Sequence, residues 1–113
     1  MDESEISAAL QAMRAHKGRD GAAALATSIL EEELNRLEWS PRAGATIVLV
    51  ALDVGTPTKP LLEAVCTYLW LYFQELDAAI AYCRELILQN GSGAFEEARA
   101  FLMEHIKNID WEG

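Results

Sequence analysis

The chain has 113 residues, 51% of them hydrophobic and 24% charged, and this composition excludes disorder over most of its length. Its formal net charge of −9 at pH 7 excludes the basic surface with which proteins bind nucleic acids. Two cysteines, Cys66 and Cys83, are too few for a fold that depends on disulfides. The length is typical of one domain, so the sequence predicts a single domain over residues 1–113.

The sequence predicts neither a secretory signal nor a membrane helix. Residues 1–5 include three acidic side chains, whereas a secretory signal begins with basic residues and continues with an apolar stretch. The longest nearly apolar stretch, residues 68–73, is far shorter than the roughly 20 residues that a membrane-spanning helix needs. We therefore expect a cytoplasmic protein with reduced thiols that binds neither a membrane nor nucleic acid.

Two helices are predicted in the first third of the chain. Residues 3–16 and residues 21–38 both repeat apolar side chains at helical spacing, and the second segment is rich in alanine and glutamate, which favour helix. Asp2 or Ser4 can cap the first helix, and Asp20 can cap the second, because their side chains accept hydrogen bonds from backbone N–H groups at a helix start.

The next segment, residues 45–54, permits two interpretations. Its β-branched run from Thr46 to Val50 has no polar alternation and is compatible with a buried strand. A strand must pair, however, and the chain has no second strand-like run. We interpret the segment as a short buried helix, and the alternative is a strand that pairs with another copy of the chain.

A long segment, residues 61–89, contains neither glycine nor proline. As one helix it would be about 43 Å long, whereas a compact domain of this size is roughly 35 Å across. We therefore predict a turn at residues 74–76, with Asp77 capping a new helix. Thr58 is the predicted cap of the helix before the turn, and Pro60 is tolerated in a first turn.

The last predicted helix covers residues 94–109, with Ser92 as its cap. Together these segments predict an all-α fold: a compact bundle of five to six short antiparallel helices, with helix over more than about 60% of the chain. A hairpin at residues 74–76 would also place Cys66 and Cys83 opposite each other, about equally far from the turn. We expect both thiols to be buried and reduced.

The chain lacks the motifs of known catalytic and metal sites. It has two histidines, His16 and His105, and no spacing typical of zinc ligands, nucleophilic serines or phosphate loops. We predict no catalytic residue, no metal site and no cofactor. An enzyme that uses an unrecognised carboxylate site is the less favoured alternative.

The densest charge run is Glu31, Glu32 and Glu33, on the outer face that we predict for the second helix. Such a run is commonly a solvated helix face. Because the chain as a whole is acidic, the run is also a candidate surface for a partner with basic charge. We therefore include all three glutamates among the candidate partner-binding residues.

The aromatic run within residues 68–73 provides the other candidates, Tyr68, Trp70 and Tyr72. A helix that is apolar all round is commonly a central core helix. These three side chains cannot all point in one direction on a helix, so at least one should lie off the core-facing stripe. Because tyrosine and tryptophan are enriched at interfaces, we expect that residue to contact a partner chain.

These features predict a non-enzymatic protein-binding module: a small acidic helical protein that grips one partner, as secretion chaperones, immunity proteins and antitoxins do. The alternative is a structural subunit that assembles with itself through the aromatic helix, residues 61–73. The two differ in one observable, because the first requires a stoichiometric partner and the second requires only another copy of the chain.

Overall fold

The computed structural model describes residues 3–19, 21–36, 41–89, 91 and 93–108, without the side chains of residues 3, 36, 41, 42 and 72. These residues form six α-helices and no strand, which confirms the predicted all-α class and helical share. The helices are α1 (Glu3–Ala15), α2 (Ala22–Arg36), α3 (Pro41–Asp53), α4 (Lys59–Tyr72), α5 (Asp77–Gln89) and α6 (Ala94–Lys107).

The helices group by threes into two compact units. Unit 1, Met1–Thr56, contains α1, α2 and α3, and each of these helices contacts the other two. Unit 2, Pro57–Gly113, contains α4, α5 and α6, in which α5 contacts both other helices and α4 also contacts α6. The expected single domain over residues 1–113 stays a prediction.

In unit 1 the end of α1 is tied to the end of α3. Gly18 has a φ of +76°, which a residue without Cβ adopts at little cost, and its N–H donates to the Val54 carbonyl at 2.9 Å. One residue earlier, the Lys17 ammonium lies 2.7 Å from the Asp53 carboxylate. Both side chains are more than half exposed, so the ion pair contributes at most about 1 kcal/mol. The backbone bond fixes the turn more than the charges do.

The ambiguous segment 45–54 is helical, and the strand alternative does not apply. Helix α3 begins at Pro41, four residues before the predicted start, because proline suits the first turn of a helix, where its missing N–H is not needed. Ile47, Val48 and Leu52 are fully buried. Burial in unit 1 thus outweighs the weak helix propensity of the β-branched residues.

Helix α4 begins as the sequence predicts. The Thr58 hydroxyl accepts a hydrogen bond from the Leu61 N–H at 3.4 Å, and Pro60 lies in the first turn. The predicted caps Asp2, Asp20 and Ser92 fall outside the described residues. At α6 the N-cap position is held by Gly93 in the left-handed region, at a φ of +79°.

The predicted turn within residues 61–89 is confirmed. Phe73 leaves helical geometry at φ −133° and ψ 77°, and Gln74–Leu76 form a single 3-10 turn before α5. Asp77 is not a cap as predicted, because it already has helical backbone angles and is the first residue of α5. Its carboxylate in the first turn still interacts favourably with the helix dipole.

The Thr58 cap predicts a measurable loss of stability on substitution. Thr58→Ala removes the acceptor for the Leu61 N–H and should lower the free energy of unfolding by about 0.5–1 kcal/mol, at the lower end for caps because the bond is long. Chemical denaturation followed by circular dichroism measures the loss.

The matched control is Thr67→Ala. The Thr67 hydroxyl donates to the Glu63 carbonyl inside α4, whose backbone bonds do not depend on it, so this change should stay within about 0.5 kcal/mol of wild type. Equal effects of the two variants would show that Thr58 does not stabilise the helix start.

Candidate functional site

The aromatic run on α4 divides between core and surface. Tyr68 is fully buried, so it is not the one of the three that lies off the core-facing stripe. Trp70 is 54% exposed, which confirms that one of the three aromatic side chains lies off the core-facing stripe. The Tyr72 side chain lies outside the described residues. Of the three aromatic candidates, Trp70 is therefore the one that the structure shows at the surface.

Trp70 lies beside a groove between α4 and α5, which we call the α4–α5 groove. It consists of two adjoining hollows of about 330 and 370 Å³ that share Arg84 and Leu88 in their walls. Leu88 is the most exposed large apolar side chain described, at 75%. The first hollow is completed by Glu63, Thr67 and Ile87, and the second by Trp70, Asp77, Ile80, Ala81 and Glu85.

Helical spacing explains why these residues share one face. Glu63, Thr67 and Trp70 stand at i, i+4 and i+7 on α4, and Arg84 and Leu88 stand at i and i+4 on α5. The opposite side of α5 packs on α6, where the Cys83 thiol lies 3.8 Å from the Ala98 carbonyl. The groove is therefore the side of the α4–α5 hairpin that α6 leaves uncovered.

The charges around the groove are unequal. Among the described residues, three carboxylates line it, those of Glu63, Asp77 and Glu85, against one guanidinium, that of Arg84. Glu63 has a cation within 4.0 Å, the Lys59 ammonium, across one helical turn. Residues 57–113 as a whole contain nine acidic and four basic side chains. The potential around the groove therefore favours a cationic ligand.

The acidic run on α2 is only partly exposed. Glu31 and Glu32 face solvent, but Glu33 is fully buried, which corrects our expectation of three glutamates on the outer face. Glu33 follows Ala26 and Leu30 at i+7 and i+3, and both of these are buried, so helical periodicity places it on the core-facing stripe. Charge alone favours the surface for all three glutamates, whereas helical phase decides which of them points into the core.

The predicted partner-binding residues belong to different units. Glu31, Glu32 and Glu33 lie in unit 1, and Tyr68, Trp70 and Tyr72 lie in unit 2. Sequence reasoning missed Arg84 and Leu88. Leu88 closes an apolar run with Leu86 and Ile87, and three successive helical residues point about 100° apart. At least one of the three side chains therefore has to face away from the core, and the sequence alone indicates this.

Between α5 and α6, aromatic side chains form a row of rings that are tilted against each other. The Tyr82 hydroxyl donates to the Glu97 carboxylate at 2.9 Å, and the Tyr82 ring lies 4.8 Å from the Phe101 ring. Phe101 in turn lies 4.2 Å from the His105 ring. The hydrogen bond to Glu97 raises the pKa of Tyr82. This row fastens α5 to α6, and its polar groups are engaged with each other.

Both cysteines are free and buried, as predicted. Burial is the main cause that raises the pKa of Cys66 to about 11, although the nearby Arg84 charge opposes the shift. Burial likewise raises the pKa of Cys83 to about 12, with a smaller contribution from Cys66 itself. Both behave as small apolar core residues at neutral pH.

The thiols should therefore be inert in the native protein. The thiolate is the nucleophile, so at pH 8 iodoacetamide should label Cys66 and Cys83 only as fast as the chain unfolds. Because burial disfavours the charged form, the thiols contribute fully to stability below about pH 8.5, the pKa of an unfolded thiol. That contribution should be lost as the pH rises towards 11 and 12.

The measurement is mass spectrometry of labelled protein over time, with the chain in guanidinium chloride as the control for full accessibility. In the denatured control both sites should react readily at the same pH. Labelling of native protein at the rate of the control would show that the α4–α5 core is open to solvent.

Among the residues that the structure describes, no three histidine, cysteine, aspartate or glutamate side chains lie close enough to hold a metal ion. Within the same residues, no helix is both long enough and apolar enough to cross a membrane. Comparisons with protein-family models, curated proteins and solved structures found no match to this chain.

Proposed function

We propose that this protein is a non-enzymatic, cytoplasmic protein-binding module that grips one partner protein through the α4–α5 groove. It would act as chaperones, immunity proteins and antitoxins do, by holding another protein without changing it chemically. The single observation that carries the proposal is the exposure of Trp70 and Leu88, at 54% and 75%, on two sides of one groove.

The physical reason is the free energy of hydration. Burying a large apolar side chain stabilises a protein by about 1.5–3 kcal/mol, and a surface that exposes two of them beside one groove forgoes that gain until something covers it. Tryptophan is among the residues that contribute most to protein interfaces. The surplus of carboxylates around Trp70 and Leu88 favours a partner with a basic surface.

Self-assembly through the aromatic helix is the second candidate. Leu71 is 42% exposed next to Trp70, so the end of α4 presents apolar surface on two sides. A second copy of the chain, however, brings the same net charge of −9 and the same acidic groove. Like charges repel at close approach, and the repulsion disfavours the homo-oligomer relative to a basic partner.

Substitution of Trp70 distinguishes these functions. Trp70→Ser and Leu88→Ser each remove an exposed apolar side chain from the groove and should weaken partner binding by about tenfold or more, as for residues central to an interface. The control is Leu71→Ser, which removes an apolar side chain of similar exposure that does not line either hollow.

The measurement is affinity capture from the source cells with quantitative mass spectrometry, together with sedimentation of the purified protein. We expect one stoichiometric partner, retained by wild type and Leu71→Ser and lost by the two groove variants. Self-association without a partner would favour the second candidate. Equal capture by all variants would contradict a role for the groove.

The exposed acidic side chains of unit 1 predict a kinetic effect. Glu31→Gln with Glu32→Gln removes two exposed negative charges and should slow association with a basic partner about two- to fivefold, with little change in dissociation. The difference between variant and wild type should shrink as salt is raised, because salt screens exposed charges beyond about 8–10 Å.

Stopped-flow association with the captured partner over a salt series measures this effect. Glu33 is left unchanged in the variant, because it is buried and its substitution would change stability as well as charge. An association rate that is independent of salt would remove Glu31 and Glu32 from the binding mechanism.

A further inference from the structure

The α4–α5 groove lies where an added helix could pack against both α4 and α5. Two neighbouring helices form its walls, and α6 packs on the hairpin from the side of Cys83, away from Arg84 and Leu88. From Asp77 to Leu88 the groove wall runs along about 16 Å of α5, which is three turns of helix. An added helix of three to four turns would complete a four-helix arrangement in unit 2.

The apolar side chains that meet in the groove suit the apolar stripe of such a helix. Trp70 comes from α4 and Leu88 from α5, and Ile80 lies in the wall between them. Amphipathic helices bind in grooves of this kind through apolar residues at i, i+3 or i+4 and i+7. A helix needs no free backbone N–H or C=O from the groove, which matters because α4 and α5 use theirs internally.

Resting on the protein-binding function proposed above, we propose that the α4–α5 groove binds a basic amphipathic helix of a partner protein. Its apolar face covers Trp70 and Leu88, and lysine or arginine side chains beside that face meet the carboxylates of Glu63, Asp77 and Glu85.

Charge distinguishes this occupant from the others. A second copy would bring its own three carboxylates to the groove, and an acidic helix would meet them too. A basic helix meets attraction at Asp77 and Glu85, weaker attraction at Glu63 beside the Lys59 ammonium, and repulsion at one position. The repulsive position is Arg84, which both hollows share. The centre of the bound helix should therefore carry a neutral or acidic residue, with its cations towards the ends.

The test uses three fluorescently labelled 18-residue helical peptides with the same leucine stripe and with lysine, glutamine or glutamate at the flanking positions. Binding to the full chain is measured by fluorescence anisotropy at low and physiological salt. We expect the lysine peptide to bind at least about tenfold tighter than the glutamate peptide, and the glutamine peptide to bind with intermediate affinity.

Two pairs of variants separate the groove from the general negative charge of the chain. Glu85→Lys should weaken the lysine peptide about tenfold, while Glu104→Lys, the same charge change at an exposed position of α6 outside the groove, should change it less than about twofold. Trp70→Ser should weaken all three peptides, and Leu71→Ser should weaken none. Arg84→Gln should strengthen the lysine peptide. Circular dichroism checks that each variant is folded.

Equal effects of Glu85→Lys and Glu104→Lys would show diffuse charge attraction only and overturn the proposal. The proposal is also overturned if the glutamate peptide binds tighter than the lysine peptide, or if Arg84→Gln binds the lysine peptide more weakly than wild type does. Either result would show that Arg84 recognises an acidic partner. Failure of all three peptides overturns the helical occupant. If Trp70-dependent capture of a partner persists in that case, the protein-binding function stands and only its ligand chemistry is wrong.

Discussion

Unit 2 depends on the chain turning back at Gln74–Leu76. No glycine or proline forces this turn, and the helix propensities of residues 61–89 would allow one continuous helix. The turn forms because of what it buries: Phe73 is only 4% exposed and Leu76 only 6%, while Gln74 and Glu75 between them face water. The burial of Phe73 and Leu76 thus stabilises the turn and offsets the loss of a few helical hydrogen bonds.

The hairpin determines which apolar side chains remain outside. With α4 and α5 side by side, the buried stripe of the hairpin contains Tyr68, Leu69, Cys66 and Cys83. Trp70 on α4 and Leu88 on α5 lie beside this stripe and stay exposed. Helix α6 packs on α5 at Cys83, whereas Trp70 and Leu88 stay exposed beside the groove. In the proposal above, their exposed surface is what the helix of a partner would cover.

The local elements were predictable because local signals determine them. Thr58 followed by Pro60 indicates a helix start. Residues 61–89 would form a helix longer than a compact domain of this size is wide, which predicts a turn. Helix α3 begins at Pro41 and not at the predicted residue 45, because proline is well suited to a first turn. Glu33 was expected on the outer face because of its charge, whereas helical phase decides where a side chain points and places it in the core. Arg84 as part of a site needed the packing of α4 on α5, which no local pattern contains.

Exposed charge and exposed apolar surface have different consequences for binding. In the proposed function, the carboxylates of Glu31 and Glu32 would act over several ångströms and influence how often a cationic partner arrives, but would hold it weakly because water screens them. Trp70 and Leu88 would act only on contact, and the water released on their burial would determine how slowly the partner leaves. At the groove the two effects coincide, because Glu63, Asp77 and Glu85 surround the apolar walls. A ligand that satisfies only one of them binds poorly: a purely cationic segment leaves the apolar walls hydrated, and a purely apolar one gains nothing from the carboxylates. The proposed function therefore predicts selectivity for a segment with both properties, and Arg84 adds a position at which we expect a cation to be disfavoured.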